Sequence, residues 1–184
     1  MNVYDFDKTI YNGDSTIDFY LYCIKKHPKI IFCLPRQIYG AIRYMLKIID
    51  KTKFKEEFYC FLSRLNNIDL LVSHFWDVNQ NKLKKWYKEI KKDDDLIISA
   101  SPEFLLAEIC KREKIDRLIA SKVDKKNGNY IGKNCYGEEK VNRYKNVYKD
   151  CAIDNFYSDS RSDQPLANLA QNSFLVVGEC IKSW

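Results

Sequence analysis

The chain has 184 residues, 46% of them hydrophobic, which is enough for one domain with a sizeable core. Its seven cysteines are scattered without a Cys-x-x-Cys pair, and this pattern predicts reduced thiols in a cytoplasmic protein. Two histidines and no cysteine cluster argue against a structural zinc site. No apolar run approaches the roughly 20 residues that span a bilayer.

The net charge of +6 is unevenly distributed along the chain. Residues 12–92 carry 16 Lys and Arg against 8 Asp and Glu, whereas the remaining residues have a slight acidic excess. The basic excess indicates an anionic substrate or surface, and the alternative is an ordinary solvated lysine-rich face. No aromatic-basic motif typical of RNA recognition is present, so we expect no nucleic-acid partner.

The first half of the chain predicts one strand followed by helices. Residues 1–6 form a short β-prone run. Residues 15–92 contain few Gly or Pro and have apolar residues at helical spacing, which predicts a nearly continuous block of helices. We expect breaks in this block near residues 27, 34, 50, 66 and 79.

From residue 93 the pattern alternates between strands and helices. Strands are predicted at 96–100, 117–123, 152–158 and 173–177, and helices after 102, at 138–149 and at 164–171. Ser101 is the expected N-cap of the first of these helices, with Pro102 at its first position, and residues 124–129 predict a hairpin turn.

This alternation predicts an α/β fold with a mainly parallel sheet. The helical block interrupts the alternation. We therefore expect a catalytic core of residues 1–11 and 93–184, with a helical cap domain of residues 12–92 inserted after the first strand.

Two carboxylates, Asp5 and Asp7, follow the first predicted strand. Spaced two apart on an extended segment, they project to the same side, at the strand end where open α/β sheets bind ligands. One carboxylate can attack phosphorus, the other can transfer a proton, and both can help to hold a divalent cation. A solvated turn is the alternative if the pair is taken alone.

Four motifs occur in order at predicted strand ends or helix starts. They are Asp5-Phe6-Asp7-Lys8-Thr9, Ile97-Ile98-Ser99-Ala100-Ser101-Pro102, Gly137-Glu138-Glu139-Lys140 and Tyr157-Ser158-Asp159-Ser160-Arg161-Ser162-Asp163. Together they resemble the haloacid dehalogenase-like (HAD) hydrolase superfamily, in particular its phosphoserine phosphatase-like branch (subfamily IB). The resemblance implies a Rossmannoid core, an inserted helical cap of the C1 type and a phosphatase activity.

The resemblance also implies roles for the acidic residues. Asp5 would be the nucleophile that forms an aspartyl-phosphate, and Asp7 the general acid and base. Mg²⁺ would be held by Asp5, the main-chain carbonyl of Asp7, and Asp159. Asp163 would orient the groups around the metal, or cap the helix that begins before Pro165, and these two roles are compatible.

The remaining motif residues would bind phosphate. Ser99 would offer its hydroxyl at a strand end beside a helix N-terminus, Lys140 would balance the charge of Asp5 and the phosphoryl group, and Thr9 would brace the loop. A plain loop serine and a surface lysine are the alternatives for Ser99 and Lys140. Lys8 departs from the small residue usual at its position and is a candidate to reach the substrate.

The cap residues bear on the substrate. Asp14 stands where phosphoserine phosphatases carry an acid that meets the substrate amine. Their carboxylate-binding arginine aligns with Phe61, so free phosphoserine would leave its carboxylate unpaired against an aromatic ring.

A second resemblance is to bacterial phosphatidylglycerophosphatases of the same superfamily. It is carried by Ala120-Ser121-Lys122-Val123, Gly137-Glu138-Glu139-Lys140-Val141 and the fourth motif. In the cap, residues 30–49 are nearly all apolar except for Arg36, Arg43 and Lys47, which share one predicted helical stripe. Such a helix is able to lie peripherally on an anionic membrane at its cytoplasmic face, and inward packing of its apolar side is the alternative.

The predicted function is Mg²⁺-dependent hydrolysis of a phosphate monoester, either a phospholipid headgroup or a small phosphometabolite. One alternative is a phosphoserine phosphatase-like enzyme or a phosphotransferase that uses the same site. The other is a non-catalytic membrane-surface binding module.

Overall fold

The computed structural model describes residues 1–149 and 151–184. In this part of the chain six strands form one sheet: β1 (Asn2–Tyr4), β2 (Leu96–Pro102), β3 (Arg117–Ser121), β4 (Ile153–Ser158), β5 (Ala170–Val177) and β6 (Cys180–Ser183). Their order is β3-β2-β1-β4-β5-β6, and all neighbours are parallel except the β5–β6 pair. The predicted α/β fold with a mainly parallel sheet is confirmed.

The predicted helical block between β1 and β2 is also observed. It comprises α1 (Ser15–Lys26), α2 (Leu34–Met45), α3 (Lys51–Tyr59), α4 (Ile68–Asn79) and α5 (Lys85–Ile90), with 3₁₀ helices at Pro28–Cys33, Cys60–Arg64 and Gln80–Lys82. After β2 come α6 (Glu103–Arg112), α7 (Glu138–Tyr148), a 3₁₀ helix at Arg161–Asp163 and α8 (Gln164–Ala167). The boundaries of a separate cap domain stay a prediction.

Local chemistry explains where the first helices begin. The side chain of Asp14 accepts a hydrogen bond from the backbone N–H of Ile17, and Asp50 does the same for Lys53. Each aspartate therefore caps free N–H groups at a helix start, a contact worth about 1 kcal/mol. Pro35 lies in the first turn of α2, where its missing N–H costs nothing.

The sheet separates two apolar clusters. Val3 belongs to the cluster that includes Phe156 and Tyr144 of α7, whereas the next residue, Tyr4, packs with the helical block on the other side. Tyr4 stacks on Tyr157 of β4 with ring centroids 4.9 Å apart. Because successive strand residues point to opposite faces, β1 is buried on both sides and its end is held rigidly.

The structure corrects three predictions in the second half of the chain. Ser101 is not a helix cap, because β2 continues through Pro102 and α6 begins at Glu103. The helix predicted at 164–171 ends at Ala167, because β5 begins only three residues later. Strand β6 was not predicted; it pairs with β5 through a two-residue loop in which Gly178 has a φ of 60°, a left-handed conformation that glycine adopts readily.

A fourth correction concerns the predicted basic stripe. Helix α2 ends at Met45, and Lys47 lies beyond it with a φ of 58°. Lys47 therefore does not continue the helical row of Arg36 and Arg43. Arg36 itself is paired with Glu57 of α3, at 2.5 Å between Nε and Oε2.

Candidate active site

The predicted motifs meet at one edge of the sheet, where β1, β2 and β4 end. Asp5 and Asp7 follow β1, Ser99 lies near the end of β2, and Asp159 follows β4. Lys140 comes from the first turn of α7. These five residues all line one cavity of about 400 Å³. This is the place where parallel strand ends bring separate segments of a chain together.

Asp5 shares a buried cation with Asp163. The Nζ of Lys140 lies 2.7 Å from Oδ1 of Asp5 and 2.7 Å from Oδ2 of Asp163, and only 2% of its side chain is exposed. Ser158 donates a further hydrogen bond to Asp163 at 2.8 Å. Lys140 is therefore a buried lysine between two carboxylates, not a surface residue of α7.

These contacts set the protonation of the site. Burial raises the pKa of Asp5 to about 7, with Lys140 opposing and Asp163 adding to the shift. Burial alone would lower the pKa of Lys140, but Asp5 and Asp163 outweigh it and raise that pKa. Lys140 thus stays charged, which favours the ionised form of Asp5 that a nucleophile requires.

Asp7 has a separate set of partners. Its Oδ1 accepts a hydrogen bond from the backbone N–H of Ser15 at 2.6 Å, and its Oδ2 accepts one from the hydroxyl of Ser101 at 2.5 Å. Burial, and then the charge of Asp14, raise the pKa of Asp7 to about 6, while the two hydrogen bonds oppose the shift. The two carboxylates therefore lie in different environments: Asp5 is paired with a cation, and Asp7 accepts hydrogen bonds from neutral donors.

Ser101 was missed as a site residue because it was assigned to a helix cap. Its hydroxyl lies 3.1 Å from that of Thr16 in α1, so it connects Asp7 to the helical block. Its backbone N–H donates to the Ser99 hydroxyl at 3.1 Å. Ser99 is buried and lines the cavity. The repeated Ser-x-Ser at a strand end was the signal available in the sequence.

Thr9 lies beneath the cavity and does not line it. The Thr9 hydroxyl donates to Oδ2 of Asp5 at 3.4 Å and accepts the backbone N–H of Asp159 at 2.9 Å. It therefore ties the loop after β1 to the loop after β4. The structure places Thr9 as a fully buried brace between the two loops.

The loop after β1 is also held from the helical block, by Lys84. Lys84 is 4% exposed, and its Nζ donates to the carbonyls of Lys8 at 2.6 Å and Gly178 at 2.5 Å. Lys8 has a φ of 58°, a left-handed conformation that is unfavourable for a residue with a side chain. The Lys84 contact helps to hold this strained turn, and no sequence pattern pointed to it.

The acidic residues form a donor set that fits a divalent cation. Asp5 and Asp159 line the cavity, and burial raises the pKa of Asp159, with the Lys8 cation opposing. In the described part of the chain, no group of three or more His, Cys, Asp or Glu residues is placed to hold a metal ion. A Mg²⁺ ion here would need main-chain oxygen and water beside the two carboxylates, and all-oxygen ligand sets that include water are the kind it prefers.

The predicted cap residues divide into two groups. Asp14 and Lys8 line the cavity. Phe61 does not; it is 1% exposed and packs against Tyr20 and Phe58 in the apolar core. The prediction that Phe61 meets the substrate is thus corrected. Phe61 lies in the 3₁₀ helix after α3, and its side chain points into the core. Residues of α3 that line the cavity instead, without having been predicted, are Lys51, Phe54, Lys55, Phe58 and Tyr59.

Comparison with known proteins agrees with this geometry. The family model described as haloacid dehalogenase-like hydrolase matches residues 3–168. No curated protein matches the chain at a significant level.

Three solved structures illustrate the similarity in fold. A Bordetella pertussis Tohama I protein of unknown function has a TM-score of 0.73 at 19% identity, over 94% of this chain and 87% of that chain. A probable phosphoserine phosphatase from Vibrio cholerae has a TM-score of 0.64 at 12% identity, over 94% of this chain and 55% of that one. A phosphoserine phosphohydrolase-like protein from Francisella tularensis has a TM-score of 0.58 at 16% identity, over 94% of this chain and 86% of that chain. The chain belongs to the haloacid dehalogenase-like hydrolase family, and its fold is similar to that of the phosphoserine phosphatase-like proteins, which confirms the predicted family.

Proposed function

We propose that the protein is a Mg²⁺-dependent phosphatase that hydrolyses a phosphate monoester through an aspartyl-phosphate on Asp5. The observation that carries the proposal is the pairing of Asp5 with the buried Lys140, next to an Asp7 that has only neutral hydrogen-bond donors. The first arrangement suits a nucleophile, and the second suits a group that exchanges protons.

The first chemical step forms the bond between a carboxylate oxygen of Asp5 and phosphorus. The bond from phosphorus to the ester oxygen breaks, and Asp7 donates its proton to the departing alcohol. In the second step water attacks phosphorus, Asp7 accepts the water proton, and inorganic phosphate leaves with Asp5 restored. A pKa of about 6 allows Asp7 to act in both directions near neutral pH.

Charge compensation comes from the groups around Asp5. Lys140 is a cation next to the attacking carboxylate, and the Ser99 hydroxyl offers a hydrogen bond to a phosphoryl oxygen. When bound to Asp5, the Asp7 carbonyl and Asp159, Mg²⁺ would further neutralise the phosphate charge that otherwise repels Asp5. Asp163 would act through Lys140, which it holds at 2.7 Å.

Replacement of the nucleophile tests this proposal. Asp5→Asn should abolish turnover of phenyl phosphate and the covalent phosphoprotein, because an amide does not form an acyl phosphate. Asp116→Asn, at an exposed position, is the matched control and should keep full activity. Near-normal turnover by folded Asp5→Asn protein would refute the assignment. Transfer to an added alcohol, measured as a new phosphate ester, would instead favour the phosphotransferase alternative.

We further propose peripheral contact with an anionic membrane through a surface formed by residues 31–48, the 31–48 surface. The proposal is supported over the alternative of inward packing by the burial pattern of α2, whose buried residues are Gln37 and Gly40. Phe32 is 72% exposed, Met45 80% and Leu46 65%. The other large exposed apolar residues there are Ile31, Leu34, Ile38, Tyr39, Ile42, Tyr44 and Ile48.

The charge of this region suits the same partner. Between Asp18 and Asp50 the chain has six Lys or Arg and no acidic residue. An exposed apolar surface within a wholly basic stretch is suited to the interface of a bilayer that contains acidic lipids. In the described part of the chain, no helix has the length and apolar character to cross a membrane.

A further inference from the structure

Two lysines from the helical block line the cavity beside the acidic cluster. Lys51 and Lys55 lie one turn apart on α3, so they present their side chains on the same helix face. Phe54 and Phe58, also spaced by four, line the same cavity. This wall therefore combines two cations with two aromatic rings, and neither lysine has a part in the proposed chemistry.

Among the described residues, neither lysine has a carboxylate partner. Within the described residues no Asp or Glu oxygen lies within 4.0 Å of either ammonium group. Lys55 donates only to neutral oxygens, the carbonyl of Ala100 at 2.8 Å and Oδ1 of Asn134 at 3.4 Å. The Nζ of Lys51 lies 3.4 Å from the centroid of the Tyr136 ring.

A partly buried ammonium without an anion is unfavourable, and the cost falls when an anion binds. Burial, and then the nearby charge of Lys51, lower the pKa of Lys55 to about 8, the direction expected for a cation that lacks such a partner. An anion bound between the two lysines would reduce the cost of burying the ammonium group and would raise the pKa of Lys55.

In the proposed chemistry the phosphoryl group already has a cation of its own. At Asp5, Lys140 is present between two carboxylates. The other lysines stand on a different wall of the cavity, contributed by α3. A substrate with one phosphate and a neutral remainder would leave them unmatched.

We propose that Lys51 and Lys55 bind a second anionic group of the substrate, a carboxylate or a further phosphate. The inference rests on the proposed function and narrows it to phosphate monoesters that carry another negative charge. It also replaces the predicted role of Phe61, which lies away from the cavity, as the feature that decides whether an anionic substrate is accepted.

The test uses matched substrates of graded length. Alkyl phosphates of two to six carbons would end in a methyl group, a carboxylate or a second phosphate, and kcat and KM would be measured for each. We expect the wild-type protein to prefer an anionic end at one chain length. Lys55→Met should raise KM for that substrate by roughly 10-fold or more, because a charge-assisted hydrogen bond is lost, and should leave KM for the methyl-ended partner nearly unchanged.

Two further variants separate binding from folding. Lys51→Met has no hydrogen-bonded partner to disrupt among the described residues and should show the same selective loss, whereas Lys55→Arg should restore part of the preference. Lys53→Met is the matched control, since Lys53 lies on the same helix, pairs with Glu56 and does not line the cavity.

The outcomes are distinguishable. Equal losses on methyl-ended and anionic substrates would show that Lys55 braces the helical block or binds the phosphoryl group, and would overturn the inference. The absence of any anionic preference in the wild-type protein would overturn it as well. If instead the wild-type protein hydrolyses none of these esters, nor phenyl phosphate, the proposed function itself fails.

Discussion

The Nζ of Lys140 lies 2.7 Å from Oδ1 of Asp5, although 135 positions separate the two residues in the chain. The contact joins the end of β1 to the start of α7, across the central strands of the sheet. The lysine is buried and also holds Asp163, so one cation neutralises two buried carboxylates of the candidate site.

Removal of this lysine should affect both stability and activity. Lys140→Met leaves Asp5 and Asp163 buried side by side without a cation, and we expect a loss of about 3–5 kcal/mol in the free energy of unfolding, with little residual turnover. Denaturant titration measures the first effect. Lys145→Met, on an exposed part of the same helix, should stay within about 0.5 kcal/mol of the wild type. Equal stability of the two variants would contradict the buried pairing.

Asp7→Asn should slow hydrolysis by about 10²-fold or more, a typical loss for general acid–base catalysis. The loss should be largest for alkyl phosphates, whose leaving groups need a proton, and smaller for aryl phosphates. Steady-state rates on a matched pair of esters measure the difference. Equal losses on both esters would argue against Asp7 as the proton donor.

A chelator should silence the enzyme, and Mg²⁺ should restore it, whereas Ca²⁺ should restore it poorly because its larger, looser coordination would misplace the attack. Asp159→Ala should raise the Mg²⁺ concentration needed for half-maximal activity, measured by titration. Asp93→Ala, at an exposed position, should leave that concentration unchanged. Full activity in the presence of the chelator would disprove the metal assignment.

The 31–48 surface should bind vesicles that contain acidic phospholipid and release them as salt rises. Each basic residue near the surface contributes about 1 kcal/mol, and salt screens this attraction. Joint replacement of Lys29, Arg43 and Lys47 by Gln should weaken binding in a sedimentation assay and spare hydrolysis of phenyl phosphate. Arg36 is left in place because Glu57 depends on it.

The matched control replaces three exposed lysines of the later segment, Lys111, Lys122 and Lys145, by Gln. This variant has the same loss of charge and should bind as the wild type does. If the wild-type protein does not bind acidic vesicles at low salt, the membrane proposal is abandoned and a soluble phosphometabolite remains.

Much of the fold followed from patterns within the sequence. The strand before Asp5, the helical block and the alternating second half are all local signals, because buried strands and amphipathic helices have distinct spacing. Strand β6 was missed because its four residues, Cys180–Ser183, are all exposed and have no apolar period. It forms by hairpin pairing with β5 across the turn at Gly178, and its exposed residues have no alternation that would mark a strand.

The candidate site was partly predictable because several of its residues lie in motifs that the sequence shows directly. Asp5, Asp7, Ser99, Lys140 and Asp159 stand at strand ends or a helix start, and the topology of a parallel sheet brings such positions together. The roles of Ser101, Lys55 and Lys84 depend on which elements pack across the cavity. Phe61 was predicted at the cavity and does not lie there. The chain changes from α-helix to 3₁₀ helix after Tyr59, which a simple alignment does not take into account.

Lys84 makes the β5–β6 hairpin a support of the loop after β1. Its ammonium group spans from the Lys8 carbonyl to the Gly178 carbonyl, so the loop that bears Asp5 and Asp7 rests on the turn between β5 and β6. A protein shortened after Val177 would keep every residue that lines the cavity. It would nevertheless have a buried ammonium with one acceptor in place of two, and a left-handed Lys8 with weaker restraint.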